Sequence, residues 1–276
     1  MSPGERAENL IAEFGITSAE ELDVRAFAYD AGLEVEFDDL EGCEATLVGV
    51  GNRGIATIRP SNVVGRERFS IGHELGHWEM HRGKSFRCRV DDPGDNLASN
   101  SEQEKHADEY AAHLLMPRPL LQPMVKSIGR PGFKHINEFA EIFQTSRTAT
   151  CIRIAQIDTL PIIAACYRGN DLRWLSRAPD VPKKWFLKRR LDEDSLAYDV
   201  LQHGRELHGK QPAEVWFDDD GADDYEVVEH SARGREGEVL VLIYLTDVEM
   251  MTARSNRSRD AANSFGFGGG YSKGRR

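Results

Sequence analysis

The spacing of apolar side chains along the chain predicts both helices and strands. In some segments apolar residues recur at intervals of three and four, the period of an amphipathic helix. Elsewhere they alternate with polar residues or form short apolar runs, which is typical of strands. The predicted helices cover residues 5–14, 17–31, 69–81, 104–115, 136–143 and 147–157. The predicted strands cover residues 33–37, 45–50, 55–58, 161–167 and 239–245. This mixture predicts an α+β fold.

Breaks in the pattern predict where one part of the chain ends and the next begins. An Arg-Pro-Gly sequence at residues 130–132 interrupts the helical spacing, and strand-like runs begin after Leu160. We therefore expect an N-terminal domain, a helical module, a smaller α+β domain and a tail, at residues 1–128, 129–159, 160–253 and 254–276. The tail is rich in glycine and too poor in apolar residues to build a core, so we expect it to be disordered.

The charge of the chain is unevenly distributed. The formal net charge is −11, but the tail carries +5, so residues 1–253 carry −16. Phosphate binding is driven by basic charge, and an acidic body therefore argues against a protein whose main task is to coat nucleic acid.

The N-terminus and the cysteines indicate a compartment. The first residues lack the charged and then apolar pattern of a secretion signal, and no apolar run approaches the roughly 18 residues that span a bilayer. The scattered cysteines form no CxxC pair, which predicts neither a thiolate zinc site nor a disulfide framework. We expect a protein of the reducing cytoplasm.

Residues 73–77 read HELGH, the strongest chemical signal in the sequence. On a helix, His73 and His77 share a face and can direct two imidazole nitrogens at one metal ion, while Glu74 lies beside the ion without binding it. A zinc-type ion lowers the pKa of its water, and a carboxylate in the place of Glu74 can take the proton as general base. The small Gly76 allows a neighbouring backbone to approach this helix closely.

A catalytic zinc site needs a third protein ligand, and the helix predicted at residues 104–115 offers several. Glu104 and Asp108 are four residues apart and share a face. We expect Glu104 to bind the metal and Asp108 to hydrogen-bond a ligand histidine and orient it. Spacing leaves His106 open as the alternative ligand. Two histidines and one glutamate suit zinc, although manganese and iron also accept such a set.

Two stretches carry a resemblance to a known family. Residues 68–77 read RFSIGHELGH, with His81 close after, and residues 104–117 read EKHADEYAAHLLMP. Both resemble the signatures of the ImmA/IrrE metallopeptidases, in which the ligand Glu stands four residues before an Asn. The resemblance therefore also implies Glu104 as the ligand. Asp108 replaces the usual Asn and Tyr110 the usual Phe, and an Asp remains a competent acceptor for a ligand histidine.

The resemblance is specific over about residues 5–160 and implies fold and function together. It implies a gluzincin-like metallopeptidase domain at residues 1–128, a helix-turn-helix-like module at 129–159 and a GAF-like sensor domain at 160–253. Members of the family make one cut in a partner, a transcriptional repressor, and so switch on a stress-response or mobile-element regulon. The expected partner is thus a protein, a small helix-turn-helix repressor.

Two alternatives to this function remain open at the level of sequence. The chain could be a non-enzymatic transcriptional regulator, a pseudo-peptidase that acts by binding DNA or protein, or an accessory protein that binds a partner without cutting it. In the second helix of the helix-turn-helix-like segment at residues 134–157, Arg147 and Arg153 are the side chains that could meet phosphate. The acidic body would repel DNA, so we do not expect direct DNA binding. The simpler interpretation of this segment is a pair of helices that packs under the catalytic domain and supports it.

Overall fold

The computed structural model describes residues 1–82, 86–88, 102–235 and 237–252. The tail that we predict to be disordered lies outside the described residues. The described α-helices, numbered in chain order, are α1 Pro3–Glu13, α2 Val24–Asp30, α3 Val64–Met80, α4 Glu102–Leu115, α5 Arg118–Ile128, α6 Phe133–Ile142, α7 Arg147–Gln156, α8 Leu196–His203 and α9 Val248–Thr252. The described strands are β1 Leu33–Phe37, β2 Ala45–Val50, β3 Arg53–Ile58, β4 Phe86–Cys88, β5 Ile162–Arg168, β6 Asp171–Arg177, β7 Leu207–Pro212, β8 Glu226–Arg233 and β9 Glu238–Leu245. The expected α+β class is confirmed.

The first helices begin where side chains cap them. Ser2 Oγ accepts the Glu5 N–H, and the Glu5 carboxylate accepts the Ser2 N–H, which fixes the start of α1. The predicted helix at residues 17–31 is not continuous. Residues 19–21 form a short 3₁₀ turn, and α2 begins only at Val24, because the Asp23 carboxylate accepts the backbone N–H groups of Arg25 and Ala26.

The N-terminal sheet has the strand order β1-β3-β2-β4. Strands β1 and β3 are parallel, while β2 is antiparallel to both of its neighbours. Helix α3 packs against this sheet, and the indole ring of Trp78 lies on Gly49 and Gly54. A Cβ atom at Gly49 would come within 2.3 Å of that ring, so only glycine fits there. The indole N–H also donates to the carbonyl of Ala31, which ties α3 to the end of α2.

Helix α4 covers the other side of α3. A Cβ atom on Gly72 would lie 3.4 Å from the Cβ of Ala111, and one on Gly76 would lie 3.1 Å from the Cα of Ala107. The two helices therefore approach each other along small residues. Helix α3 is consequently buried from Ser70 to Trp78, which encloses the whole HELGH sequence.

The second sheet is antiparallel, with the strand order β6-β5-β9-β8-β7. Every residue of β9 is buried. Helix α7 packs against β5 and β6, so the sheet is joined directly to the helices of the N-terminal part. Two hydrogen bonds reinforce this junction: Ser176 Oγ donates to the carbonyl of Ile152, and Tyr244 Oη donates to that of Pro131.

The cysteines for which the structure describes side chains, Cys43, Cys151 and Cys166, are all buried. Burial raises the pKa of the Cys151 thiol to about 12, which keeps it protonated and unreactive. Among the described residues, no helix is long and apolar enough to cross a lipid bilayer.

Candidate metal centre

Helix α3 presents two histidine side chains to the same point. His73 and His77 lie one turn apart, and their Nε2 atoms are 3.1 Å from each other. Both side chains are almost completely buried, at 2% and 0% exposure. Glu74 is also fully buried and follows His73 in the same helix. The i and i+4 spacing thus brings the pair of imidazoles together inside the protein.

Helix α4 adds a carboxylate to this pair. The Oε2 atom of Glu104 lies 3.2 Å from His73 Nε2, and its Oε1 atom lies 3.4 Å from His77 Nε2. Glu104 is 31% exposed, so the cluster is reached from solvent on its side. The close approach of α3 and α4 at Gly76 is what allows a side chain from α4 to reach both imidazoles.

Asp108, one turn after Glu104, contacts the far side of the His73 ring. Its Oδ1 atom lies 2.8 Å from His73 Nδ1. An ionised carboxylate only accepts hydrogen bonds, so Nδ1 carries the proton and donates it. In a neutral imidazole this leaves the lone pair on Nε2, the nitrogen that faces His77 and Glu104.

His77 also has a partner on the far side of its ring, which we did not predict from the sequence. The Nδ1 atoms of His77 and His81 are 3.3 Å apart, and the ring of His81 stacks on His106 with the ring planes 5° from parallel. The spacing of four residues between His77 and His81 was the available signal. His106, the alternative ligand, thus lies against His81 and beside Glu102, its Nε2 atom 3.8 Å from that carboxylate.

The electrostatics of the cluster follow from burial and hydrogen bonding. The imidazoles of His73 and His77, which lie against the carboxylate, hold the pKa of Glu104 far below its ordinary range, so this carboxylate is ionised. Burial lowers the pKa of His77, which favours the neutral imidazole. Neutral imidazoles and an ionised carboxylate are the forms in which these side chains bind metals.

The chemistry of the donors fits a divalent metal ion. One potential ligand atom from each of His73, His77 and Glu104 lies within 4.8 Å of the others. Among the described residues, these three form the one group of His, Cys, Asp or Glu side chains placed closely enough to hold a metal ion. Two imidazole nitrogens and one carboxylate oxygen form the three-ligand set that catalytic zinc takes while keeping one position open.

The two arginines of α7 that could meet phosphate both contact other parts of the protein. Arg153, one of the two arginines that could meet phosphate, is 1% exposed and donates to Glu8 and to the carbonyl of Met116. Arg147 Nη1 donates to the carbonyl of Arg233. Both arginines therefore form hydrogen bonds within the protein.

Comparisons with known proteins bear on the family and the fold of the chain. A family model described as the IrrE N-terminal-like domain, of the M78 peptidases, matches residues 19–155. A solved structure of a Mycobacterium tuberculosis transcriptional regulator is similar in fold, with a TM-score of 0.60 and 12% sequence identity. The similarity covers 88% of this chain and 76% of the other. A search of curated proteins found no match.

Proposed function

Because the chain belongs through residues 19–155 to the ImmA/IrrE metallopeptidase family, we propose that it is a zinc-dependent endopeptidase that cuts a transcriptional repressor at one site. The observation that carries this proposal is the convergence of His73, His77 and Glu104, with Glu74 buried next to His73. The ligands and the base that a gluzincin-like site requires are all present.

In this proposal His73, His77 and Glu104 hold the ion, and Asp108 fixes the orientation of His73 through Nδ1. A bound zinc ion would supply Lewis acidity, which lowers the pKa of water and polarises a peptide carbonyl. Glu74 acts first as general base and removes a proton from the attacking water. It then acts as general acid and delivers that proton to the peptide nitrogen as the C–N bond breaks. Burial of Glu74 keeps bulk water from competing for the proton.

The proposed substrate is a small helix-turn-helix repressor. The resemblance to the family supports this class of substrate, and the charge of the chain is compatible with it. Residues 1–253 carry −16, and DNA-binding repressors carry basic surfaces that such a body would attract. Cutting the repressor would release the genes it silences, in a stress-response or mobile-element regulon.

Replacing Glu74 by Gln tests the mechanism. The variant is expected to keep the metal, since Glu74 is not a ligand, and to lose cleavage by at least about 100-fold, since general base catalysis contributes on that scale. Metal content is measured by elemental analysis of the purified protein. Cleavage is measured by sequencing the new protein N-termini that appear when each variant is produced in its host cells.

Glu67→Gln is the matched control, because Glu67 lies in the first turn of the same helix and pairs with the exposed Arg25. It is expected to cut like the wild type. New N-termini in a helix-turn-helix repressor that appear with the wild type and the control, but not with Glu74→Gln, would support the proposal. Cleavage that persists in Glu74→Gln would contradict the mechanism.

A second candidate function is a non-enzymatic regulator that binds a partner without cutting it. The similar solved structure is described as a transcriptional regulator, which is the observation that favours this candidate. Here the wild type would produce no new N-termini, and wild type and Glu74→Gln would capture the same repressor equally well. The complete set of ligands and base favours the peptidase.

A further inference from the structure

A cavity of about 750 Å³ lies behind the metal centre, between the start of α3, one face of α4 and the helix α7. Phe69 from α3, Asp108 from α4 and Ala149 from α7 are among its lining residues. A volume of this size is typical of sites that enclose small organic molecules.

The cavity is separated from the cluster of metal ligands. Asp108 forms the wall between them: its carboxylate contacts Nδ1 of His73, whereas Nε2 of that ring faces Glu104. Among the described residues, the lining of the cavity includes neither the three proposed ligands nor Glu74. The cavity therefore lies on the side of His73 opposite to the one where the metal would bind.

The floor of the cavity is apolar and its mouth is basic. The apolar lining consists of Val63, Phe69, Ala112, Leu115, Met116, Ala149 and Ile152. Three cationic side chains, Arg66, Lys105 and Arg235, also line it and are exposed. Within the described part of the chain, Arg66 and Lys105 form no salt bridge. These cations stand out in a body whose net charge is −16.

The acidic groups of the lining are already engaged by the protein. Asp108 accepts a hydrogen bond from His73 Nδ1, and the Glu109 Oε1 atom accepts one from the backbone N–H of Gly4 at 3.1 Å. The N-terminus of α7 adds to the positive potential, since Ser146 and Thr145 line the cavity where that helix begins. The arginines and lysine of the lining outnumber its two carboxylates, so the charge around the cavity is positive on balance.

From this combination we propose that the cavity binds a small organic anion with an apolar body, such as an aromatic or aliphatic sulfonate, carboxylate or phosphate. The apolar body packs on Phe69 and Ala149, and the negative group lies at the mouth near Arg66. Because Asp108 lines the cavity, the bound molecule contacts the carboxylate that orients His73. The site exists whether or not the metal centre cuts peptides.

A pair of fluorescent probes tests both parts of this chemistry. 8-Anilinonaphthalene-1-sulfonate carries an apolar body with an anionic group, and N-phenyl-1-naphthylamine has the same body without the charge. Each probe is titrated into the purified full chain, and its dissociation constant is taken from the fluorescence increase. The sulfonate is expected to bind saturably at one site.

Arg66→Glu tests the basic mouth. Reversal of a nearby surface charge is expected to weaken binding of the sulfonate by about five-fold, which corresponds to about 1 kcal/mol. The dissociation constant of the uncharged probe is expected to stay within about two-fold of its wild-type value. Arg53→Glu, at an exposed arginine in β3, is the matched charge control and is expected to change neither probe. Equal effects of Arg66→Glu and Arg53→Glu on the sulfonate would overturn the proposal.

Ala149→Phe tests the apolar floor by filling it. This variant is expected to weaken both probes by about ten-fold or more, because a bulky side chain takes the place of the apolar body. Thr148→Phe is the control, since it adds the same ring to the adjacent position of α7, which does not line the cavity. Circular dichroism checks that each variant folds. If Ala149→Phe does not fold, Ala112→Leu replaces it and fills the cavity from α4. Sulfonate binding that survives in a folded cavity-filling variant would show that the probe binds elsewhere.

Discussion

At the scale of single residues, Gly76 controls how closely α4 approaches the metal centre. A Cβ atom there would lie 3.1 Å from both the Cα of Ala107 and the Cβ of Tyr110, tighter than a normal carbon contact. At Gly72, one turn earlier, the nearest contact would be an ordinary 3.4 Å to the Cβ of Ala111. The two glycines thus form a matched pair on the same face of α3, with different room for a methyl group.

We predict that Gly76→Ala destabilises the protein and that Gly72→Ala does not. Alanine gains roughly 1 kcal/mol over glycine in a helix, which offsets the ordinary contact at Gly72. At Gly76 the overpacked methyl group is expected to cost about 1–3 kcal/mol and to push α4 away, together with Glu104. Urea unfolding measures stability, and a zinc titration measures the affinity of the cluster. Equal stability of the two variants would contradict this view of the α3 and α4 contact.

The candidate site could largely be predicted from the sequence because its signals are local. His73 and His77 lie one turn apart, and so do Glu104 and Asp108, so helical geometry alone places each pair on one face. Spacing could not decide between Glu104 and His106, since that choice depends on how α4 is rotated against α3. The burial of Arg153 could not be predicted from the sequence either, because its partner Glu8 lies 145 residues away along the chain.

At the scale of elements, β8 shows why part of the second sheet escaped prediction. Glu229 lies in this strand with 0% exposure, so a charged residue occupies a core position and breaks the apolar alternation. Its carboxylate accepts the indole N–H of Trp216, the hydroxyl of Ser231 and two backbone N–H groups at the start of α8. Hydrogen bonds to distant parts of the chain compensate for the burial of this carboxylate, and they produce no periodic pattern in the sequence from which the strand could be predicted. The apolar runs at residues 162–167 of β5 and 239–245 of β9 contain no charged residue, and both were predicted.

The next residue of β8, His230, predicts how stability depends on pH. Its ring stacks on His208 and meets Tyr244 edge to face. Burial, and then the charges of His208, Arg130 and His135, lower the pKa of His230 from 6.5 to about 4. The folded state therefore resists protonation more than the unfolded state does. The stability that depends on a neutral His230 is fully present above pH 6.5 and is lost as the pH falls from 6.5 towards 4.

We predict that His230→Gln reduces the loss of stability between pH 7 and pH 4.5. The reduction is expected to be about 1–2 kcal/mol, an amount lowered by the partial exposure of the ring to solvent. Urea unfolding at several pH values measures it. His203→Gln, at an exposed histidine in α8, is the control and is expected to follow the wild type. If both variants lose stability in parallel with the wild type, His230 does not carry the pH dependence.

At the scale of the whole molecule, one polar cluster joins segments that are distant in sequence. Glu8 from α1 accepts from Arg153 Nη2 at 3.0 Å and lies 2.7 Å from His113 Nδ1, while Arg153 itself lies in α7. Burial alone would raise the pKa of Glu8, but hydrogen bonds from His113 and from the Arg118 N–H lower it, so the carboxylate is ionised. Burial lowers the pKa of Arg153 only to about 10, so the guanidinium remains charged. The cluster is therefore a partly buried ion pair that links α1, α4 and α7.

Helix α7 transmits this link to the second sheet, because its other side packs on β5 and β6. We predict that Glu8→Gln lowers the stability of the whole chain by about 2–4 kcal/mol, since it leaves the charge of Arg153 buried without its counter-ion. Glu13→Gln, at an exposed position of the same helix, is expected to cost less than about 0.5 kcal/mol. Far-ultraviolet circular dichroism reports on the helices. Tryptophan fluorescence reports on the C-terminal part, through Trp174, Trp185 and Trp216, when all variants are compared in a Trp78→Phe background. Because α7 belongs to both halves of the structure, the two probes should unfold in one transition that shifts together in Glu8→Gln. Separate transitions, with only the circular dichroism signal shifted, would mean that the second sheet folds independently of the metal centre.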